Sequence, residues 1–325
     1  MKSTNESITN LSIIIPHYNM PQMLKRLLNS INVRQDVEII VVDDKSDKNC
    51  LDECKEIVDR TDLIFLKNET GKKGAGVCRN IGLAHATGKW VLFSDSDDWF
   101  DELYYEKVSK YFNTEFDVVF FEAISKNLGN NQLRYENQVD RFVNKKIFSD
   151  YLSENAFDKR QAEIELRYKV AVPWGKLISK KIIDDNNIYF DELISGNDLG
   201  FSYRLGYYAK NIYVDENVIY YYAYRTDSIS HSFTEDSYWD RVTAHGWKNE
   251  FLIHNLSVEE FKSIPSSLRY LIKQCIFCDG GFKICAKTIL YLKKTGDIAT
   301  YFMIIRWIIE FTAERFYKKY VRRLL

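Results

Sequence analysis

Aspartates stand where short apolar runs of this chain end. Asp43 and Asp44 close the run VEIIVV, and Asp95, Asp97 and Asp98, with Ser96 among them, follow WVLF. His17 and Tyr18 follow LSIIIP, which ends on Pro16. Carboxylates at close quarters raise one another's pKa and destabilise a fold, so such a set implies a cation that neutralises it. Hard carboxylate oxygens suit Mg²⁺ or Mn²⁺. An aspartate is also a common turn former and helix N-cap, and that reading suffices for Asp47 and Asp101. It does not suffice for carboxylates grouped at two run ends.

The elements that must position these side chains follow from periodicity. Leu11 to Pro16, Val37 to Val42, Leu63 to Leu66, Trp90 to Phe93 and Val118 to Phe121 are short, apolar and rich in β-branched residues, the pattern of strands buried on both faces. Helical spacing lies between them: Leu24, Leu27, Leu28 and Ile31; Leu51, Cys54, Ile57 and Val58; Ile81, Leu83, Ala84 and Ala86. This β-α-β-α order predicts an α/β fold with a mostly parallel sheet flanked by helices, whose ligands gather beyond the carboxyl ends of the strands. Gly71, Gly74 and Gly76 follow the third strand and lack the third glycine of GxGxxG, so they read as a loop that admits a ligand, not as a dinucleotide fingerprint.

The chain has 325 residues, which predicts a large domain and a smaller one. A net charge of -1 argues against a wholly basic nucleic-acid binder, and 22 Tyr with 20 Phe predict aromatic surface. The start, MKSTNESITN, has no apolar signal-peptide core, and no run of about 18 apolar residues occurs. A cytoplasmic setting with reduced thiols is expected for Cys50, Cys54, Cys78, Cys275, Cys278 and Cys285. Cys275 and Cys278 form one CxxC with no second pair to complete a zinc site, and read as apolar helix residues.

IIIPHYNM, VVDDKSD, GKKGAGVCRNIGLAHATGKW and FSDSDD, in unbroken order within residues 11–100, resemble family 2 glycosyltransferases of the GT-A fold. The resemblance implies a UDP-sugar donor and a Mn²⁺ or Mg²⁺ cofactor. Asp97 of the DXD motif is then the direct metal ligand, Asp95 lies nearer the ribose or a metal-bound water, and Asp98 supports them. Asp95 and Asp97, two residues apart, are expected to project to one side of a strand end. Asp44, in preference to Asp43, accepts the uracil N–H. Tyr18 packs near the base with the backbone of Pro16 and His17, and Arg79 approaches the nucleotide with Gly74 and Ser96.

A second block, PWGKLISKKII and then residues 188–231, resembles the acceptor side of bacterial members. It implies Asp198 as the general base of an inverting displacement, with Trp174 and Lys176 beside the acceptor. Where the family writes Glu-Asp, this chain has Asn197-Asp198; loss of the neighbouring charge is expected, other things equal, to lower the Asp198 pKa. Arg225, Ser228 and His231 fall in a loop that folds over the diphosphate in that family, His231 being a further metal candidate. Residues 1–235 are expected to form the catalytic domain (11–122 for nucleotide and metal, 123–235 for acceptor) and 236–325 a helical region. The segment from Tyr301 to Leu325 carries Ile305, Ile308, Ile309, Phe316 and Tyr320 on one helical face and ends on Lys318, Lys319, Arg322 and Arg323. It is expected to lie peripherally on an anionic membrane, at its inner face, or to cover a homodimer contact. The expected activity is transfer of a hexose or N-acetylhexosamine to a glycan or lipid-linked saccharide in surface polysaccharide synthesis; a UDP-binding module without activity is the alternative.

Overall fold

The computed structural model describes residues 9–127, 141–224 and 234–264, with 287, 288, 290 and 291. The chain divides into two compact units, residues 1–232 and residues 233–325. Arg225, Ser228 and His231, the CxxC and the basic C-terminal segment lie outside the described residues.

Among the described residues the first unit is built on a nine-stranded sheet. Its strands are β1 (Leu11–His17), β2 (Val37–Asp43), β3 (Leu63–Lys67), β4 (Trp90–Phe93), β5 (Trp99–Phe100), β6 (Val118–Asn127), β7 (Arg141–Phe142), β8 (Lys176–Ser179) and β9 (Ile212–Tyr224). The order is β3-β2-β1-β4-β8-β6-β9-β5, with β7 on β6. β3, β2, β1 and β4 are parallel neighbours, and β6 pairs β9 in parallel; β8, β5 and β7 join antiparallel. The helices are α1 (Pro21–Asn29), α2 (Lys48–Ile57), α3 (Ala75–His85), α4 (Tyr104–Val108), α5 (Lys145–Leu152), α6 (Ala156–Tyr168), α7 (Lys180–Asp185) and α8 (Asn197–Tyr208).

Every residue of β1 is buried, as a continuous apolar run predicts for a strand covered on both faces. Alternation sends Ile13 and Ile15 into one core and Ile14 into another. α1 closes the first core with Met23, Leu24, Leu27 and Leu28. On α2 the predicted face turns inward, Cys54 buried and Ile57 and Val58 partly buried against the same core; Cys50 joins them and Leu51 lies at the margin. Asp47 caps α2, its carboxylate accepting from Cys50 N at 2.9 Å. On α3, Leu83 is buried and Ala84 faces solvent.

The topology fixes where a ligand can bind. From β1 the chain winds outward through β2 and β3, then α3 carries it back to β4 on the other side of β1. Adjacent strands whose connections leave in opposite directions open a crevice at their carboxyl ends. His17, Tyr18 and the segment 94–98 stand there. β9 runs beside β6 through a register shift near Glu122 and pairs with β5, so that Phe100 lies opposite Tyr220. This brings the end of the sheet back over the acidic segment.

Much of the aromatic load lies inside, not on the surface. Trp174 stacks on Tyr220 and Tyr222 with ring centres 5.3 and 5.5 Å apart, and Phe190 stacks on Phe201 at 4.1 Å. In the second unit, α9 (Glu235–Asn255) and α10 (Val258–Ser263) both begin with capping boxes, Thr234 with Ser237 and Ser257 with Glu260. Within α9 burial pushes the His245 pKa down to about 3 and that of Lys248 down to about 8. Among the described residues no helix is long and apolar enough to cross a membrane.

Candidate functional site

The end of β2 is organised by its two aspartates, which turn to different neighbours. Asp44 accepts from Gly74 N at 2.8 Å and from Asn68 Nδ2 at 2.7 Å, and so anchors the glycine loop at the start of α3. Gly74 has φ +130°, a conformation L side chains rarely adopt, and a Cβ there would come within 3.3 Å of the Leu193 carbonyl. Asp43 accepts from Ser46 N at 3.0 Å, while its Oδ1 is buried with no partner among the described residues. Tyr18 is 41% exposed with the Lys73 ammonium 3.6 Å above its ring, so an aromatic face remains at the crevice.

Pro16 is buried within β1. The His17 carbonyl accepts from Asp44 N at 2.7 Å, which holds the two strand ends together. The His17 imidazole itself turns into the core toward Cys50 and Cys54, and burial lowers its pKa. Only its backbone belongs to the rim.

Residues 95–98 form a turn, closed by Asp98 N on the Asp95 carbonyl at 3.1 Å, where a strand end had been expected. The predicted alternation nevertheless holds in the exposure: Asp95 and Asp97 are partly exposed, Ser96 and Asp98 buried. Asp98 is an anchor, not part of an open ligand set. Its carboxylate accepts from Tyr220 Oη at 2.6 Å and from Ala223 N at 2.7 Å. Burial, then Asp97 and Asp95, push its pKa well above the carboxylate range, against these two hydrogen bonds. Tyr220 Oη also takes Asp95 N at 2.9 Å and meets Ser94 Oγ at 3.2 Å. Arg26 completes the support by donating to the Asp97 carbonyl and lying 4.4 Å over the Trp99 ring.

Tyr220 therefore binds the turn to β9 by three contacts. Replacing it by Phe leaves the buried Asp98 side chain short of one hydrogen bond, a loss of roughly 1–3 kcal/mol for a buried polar group left unsatisfied. We expect a stability loss of that order for Tyr220→Phe in denaturant unfolding. A change below about 0.5 kcal/mol, the scatter of surface substitutions, would show that the turn is held otherwise.

Arg79 joins the two halves of the site. It is buried on α3 and donates from Nη2 to Asp95 Oδ1 at 2.5 Å and from Nη1 to Asn197 Oδ1 at 2.8 Å. Gly76 makes that approach feasible. A Cβ there would fall 2.5 Å from the Asp191 carbonyl and 2.9 Å from Asn197 Cβ, so only glycine lets α3 meet the start of α8. Asn197 keeps an acceptor for Arg79 without a charge.

Asp198 follows in the first turn of α8, partly exposed. Its pKa is raised, chiefly by burial; Arg79, its own backbone N–H and Lys176 pull the other way. The neutral Asn197 adds no charge to this balance, in which desolvation dominates. Lys176 lies beneath, fully buried, donating to the Val170 carbonyl at 2.7 Å and Ser202 Oγ at 3.3 Å. Burial pushes its pKa down to about 7. Lys176 and Trp174 are both interior, Trp174 having its stacking partners among tyrosines.

The chemistry of the turn fits a divalent cation. Asp95 and Asp97 offer hard oxygens at one exposed edge, and among the ion pairs of the described residues Arg79 offsets Asp95. Burial first, and then the charges of Asp97 and Asp95, raise the Asp98 pKa.

The crevice, with its carboxylate turn and buried arginine, lies at the switch point where open α/β sheets bind their ligands. The glycosyl transferase family 2 sequence model matches residues 12–186, more than half of the chain, and the chain belongs to that family. It is 27% identical over 239 residues to the glycosyltransferase GlyA of Streptococcus pneumoniae, covering 69% of this chain and 32% of that protein. It is 28% identical over 218 residues to the poly(ribitol-phosphate) beta-N-acetylglucosaminyltransferase TarS of Staphylococcus aureus, covering 65% and 35%. The aligned region is thus about a third of either relative. The crystal structure of TarS 1-349 in complex with UDP-GlcNAc aligns with a TM-score of 0.58 at 21% identity over 93% of this chain and 92% of that one. The mannosyltransferase PcManGT from Pyrobaculum calidifontis, in complex with GDP-Man and Mn²⁺, aligns at 0.55 with 14% identity over 93% and 84%. These likenesses carry the fold, GT-A.

Proposed function

We propose that this glycosyltransferase is an inverting enzyme that moves a hexose or N-acetylhexosamine from a UDP-sugar to a hydroxyl of a glycan or lipid-linked saccharide, in bacterial surface polysaccharide synthesis. The observation that carries the reading is the Arg79 bridge, which ties the donor-side Asp95 to the residue next to Asp198. Support for the donor comes from the UDP-GlcNAc complex of TarS, and for the acceptor class from the poly(ribitol-phosphate) that TarS is named for.

The uracil packs against Tyr18, with Asp44 accepting its ring N–H through a lone pair not used by Gly74 N or Asn68. Asp95 and Asp97 would hold Mn²⁺ or Mg²⁺, whose contribution is to neutralise charge developing on the departing diphosphate. Arg79 adds a fixed charge on the same side. Asp198 takes the acceptor proton as the hydroxyl oxygen attacks the anomeric carbon from the face opposite UDP. One displacement of this kind inverts the configuration, and no covalent sugar-enzyme bond is required.

A panel of UDP-sugars and GDP-mannose with Mn²⁺, scored for nucleotide release with and without saccharide acceptors, tests this. Release from one UDP-sugar, stimulated by an acceptor, is the expected result. Release from GDP-mannose alone would overturn the uridine assignment, and UDP binding with no release from any donor would favour the inactive module. Asn197 gives that alternative little weight, since it retains the Arg79 contact.

A further inference from the structure

The end of β1 carries a second cluster of ligating side chains for which the transfer reaction has no use. Cys50 and Cys54, one turn apart on α2, both present Sγ to His17 Nε2 at 3.5 Å. All three residues are buried, and their ligand atoms lie within 4.8 Å of one another. As hydrogen bonds, only one thiol can donate to the imidazole, the other bonding to its neighbouring thiol. A neutral imidazole has one acceptor nitrogen, and a single thiol saturates it. Metal geometry accounts for both contacts. With Zn–S of about 2.3 Å and Zn–N of about 2.0–2.1 Å at a tetrahedral angle, nitrogen and sulfur stand ~3.5 Å apart.

Two unpartnered atoms beside the cluster complement each other in the same way. His17 Nδ1 and Asp43 Oδ1 are both buried without a partner among the described residues, and the β1–β2 register sets His17 directly opposite Asp43. Coordination through Nε2 leaves the imidazole proton on Nδ1, a donor that then needs an acceptor; a carboxylate supplies only acceptors. Charge balances as well: a divalent ion entering as two thiol protons leave to solvent keeps the net charge of the buried pocket unchanged.

We propose that His17, Cys50 and Cys54 form a site for a soft divalent cation such as Zn²⁺, with Asp43 orienting His17. A fourth position is left for a small exogenous ligand. The site is separate from the hard-oxygen edge at Asp95 and Asp97. An ion there would bolt α2 to β1 one residue before Tyr18 and stiffen the crevice wall from behind.

The test uses the full-length chain, reduced and stripped with chelator, and Co²⁺ as a spectroscopic probe. One equivalent should produce thiolate-to-cobalt charge transfer and tetrahedral d–d bands that Zn²⁺ abolishes and a large excess of Mg²⁺ does not. Cys50→Ser, Cys54→Ser and His17→Asn should each reduce the bound Co²⁺ at least tenfold at limiting metal. Cys275, Cys278 and Cys285 are a rival thiol set, so the titration is repeated on a chain with all three changed to Ser. Bands retained in that triple variant support the proposal; bands lost there and kept in Cys50→Ser overturn it. Absence of any band in fully reduced protein also overturns it and leaves a thiol–imidazole hydrogen-bonded cluster. Should the site variants fail to fold, X-ray absorption at the zinc edge on the triple variant needs no change in the cluster. Two sulfur scatterers and one imidazole per zinc are expected, and an all-oxygen shell would refute the site.

Discussion

Asp198→Asn is expected to lower sugar transfer by ~10²–10⁴-fold, the usual contribution of a general base, while leaving UDP affinity nearly unchanged. A group that acts on the acceptor proton contributes at the transition state and little to donor binding, so the loss falls on kcat. The substitution is nearly isosteric, and the first turn of α8 remains tied down through Asn197 and Arg79. The pH dependence gives an independent check. A base works deprotonated, and burial raises the Asp198 pKa, so the rate should fall with decreasing pH at values above the ordinary carboxylate range. Arg79 and Lys176 lower that pKa. Removing the cation with Lys176→Met should therefore move the acid limb upward, without abolishing activity. Retention of more than about a tenth of the rate in Asp198→Asn would assign the proton to another group.

What was legible in the sequence was whatever depends on neighbours along the chain. Short apolar runs marked β1 to β4 and β6, and their polar ends located the crevice; β3, expected to be buried on both faces, lies at the edge of the sheet with Ile64 exposed. Asp95, Asp97 and Asp198 could be singled out as candidates because carboxylates at run ends and in a resembling motif are visible as residue types. Illegible were the contacts between residues more than a hundred positions apart. Nothing near Asp98 announces that Tyr220 holds it, and nothing near Arg79 announces Asn197. Gly76 read as part of a mobile loop, whereas its service is a close approach of two helices that only the tertiary structure creates. His17 was read by its position at a strand end. Its side-chain direction depends on which face of β1 α2 covers, and Cys50, which the helical spacing left out, joins Cys54 on the buried face of α2. Trp174 was read as lying beside the acceptor, and its stacking on tyrosines of β9 is a pairing that the local sequence does not show.

The largest ligand effect on stability is expected at the acidic turn: UDP should stabilise the first unit only when Mn²⁺ or Mg²⁺ is present, and Asp97→Asn should remove the effect. Asp95, Asp97 and Asp98 stand within one four-residue turn, and Arg79 divides its donors between Asp95 and a neutral amide. A diphosphate brought to that edge adds negative charge to a field already strong enough to help push the Asp98 pKa well up. With a divalent ion the same encounter becomes attractive, and a ligand at ~100 times its dissociation constant adds about 2.7 kcal/mol. Asp97 is the informative substitution. Asp95→Asn would also break the ion pair with Arg79, whereas the Arg26 contact at position 97 is to the backbone carbonyl and survives a change of side chain. Thermal melts with UDP, cation and chelator in all combinations separate the contributions. The expected pattern is a shift with UDP and cation together, little with either alone, and none in Asp97→Asn. A UDP shift of equal size in excess chelator would mean that the diphosphate is held by protein cations such as Arg79, and that the carboxylate turn acts by position instead of by binding a metal.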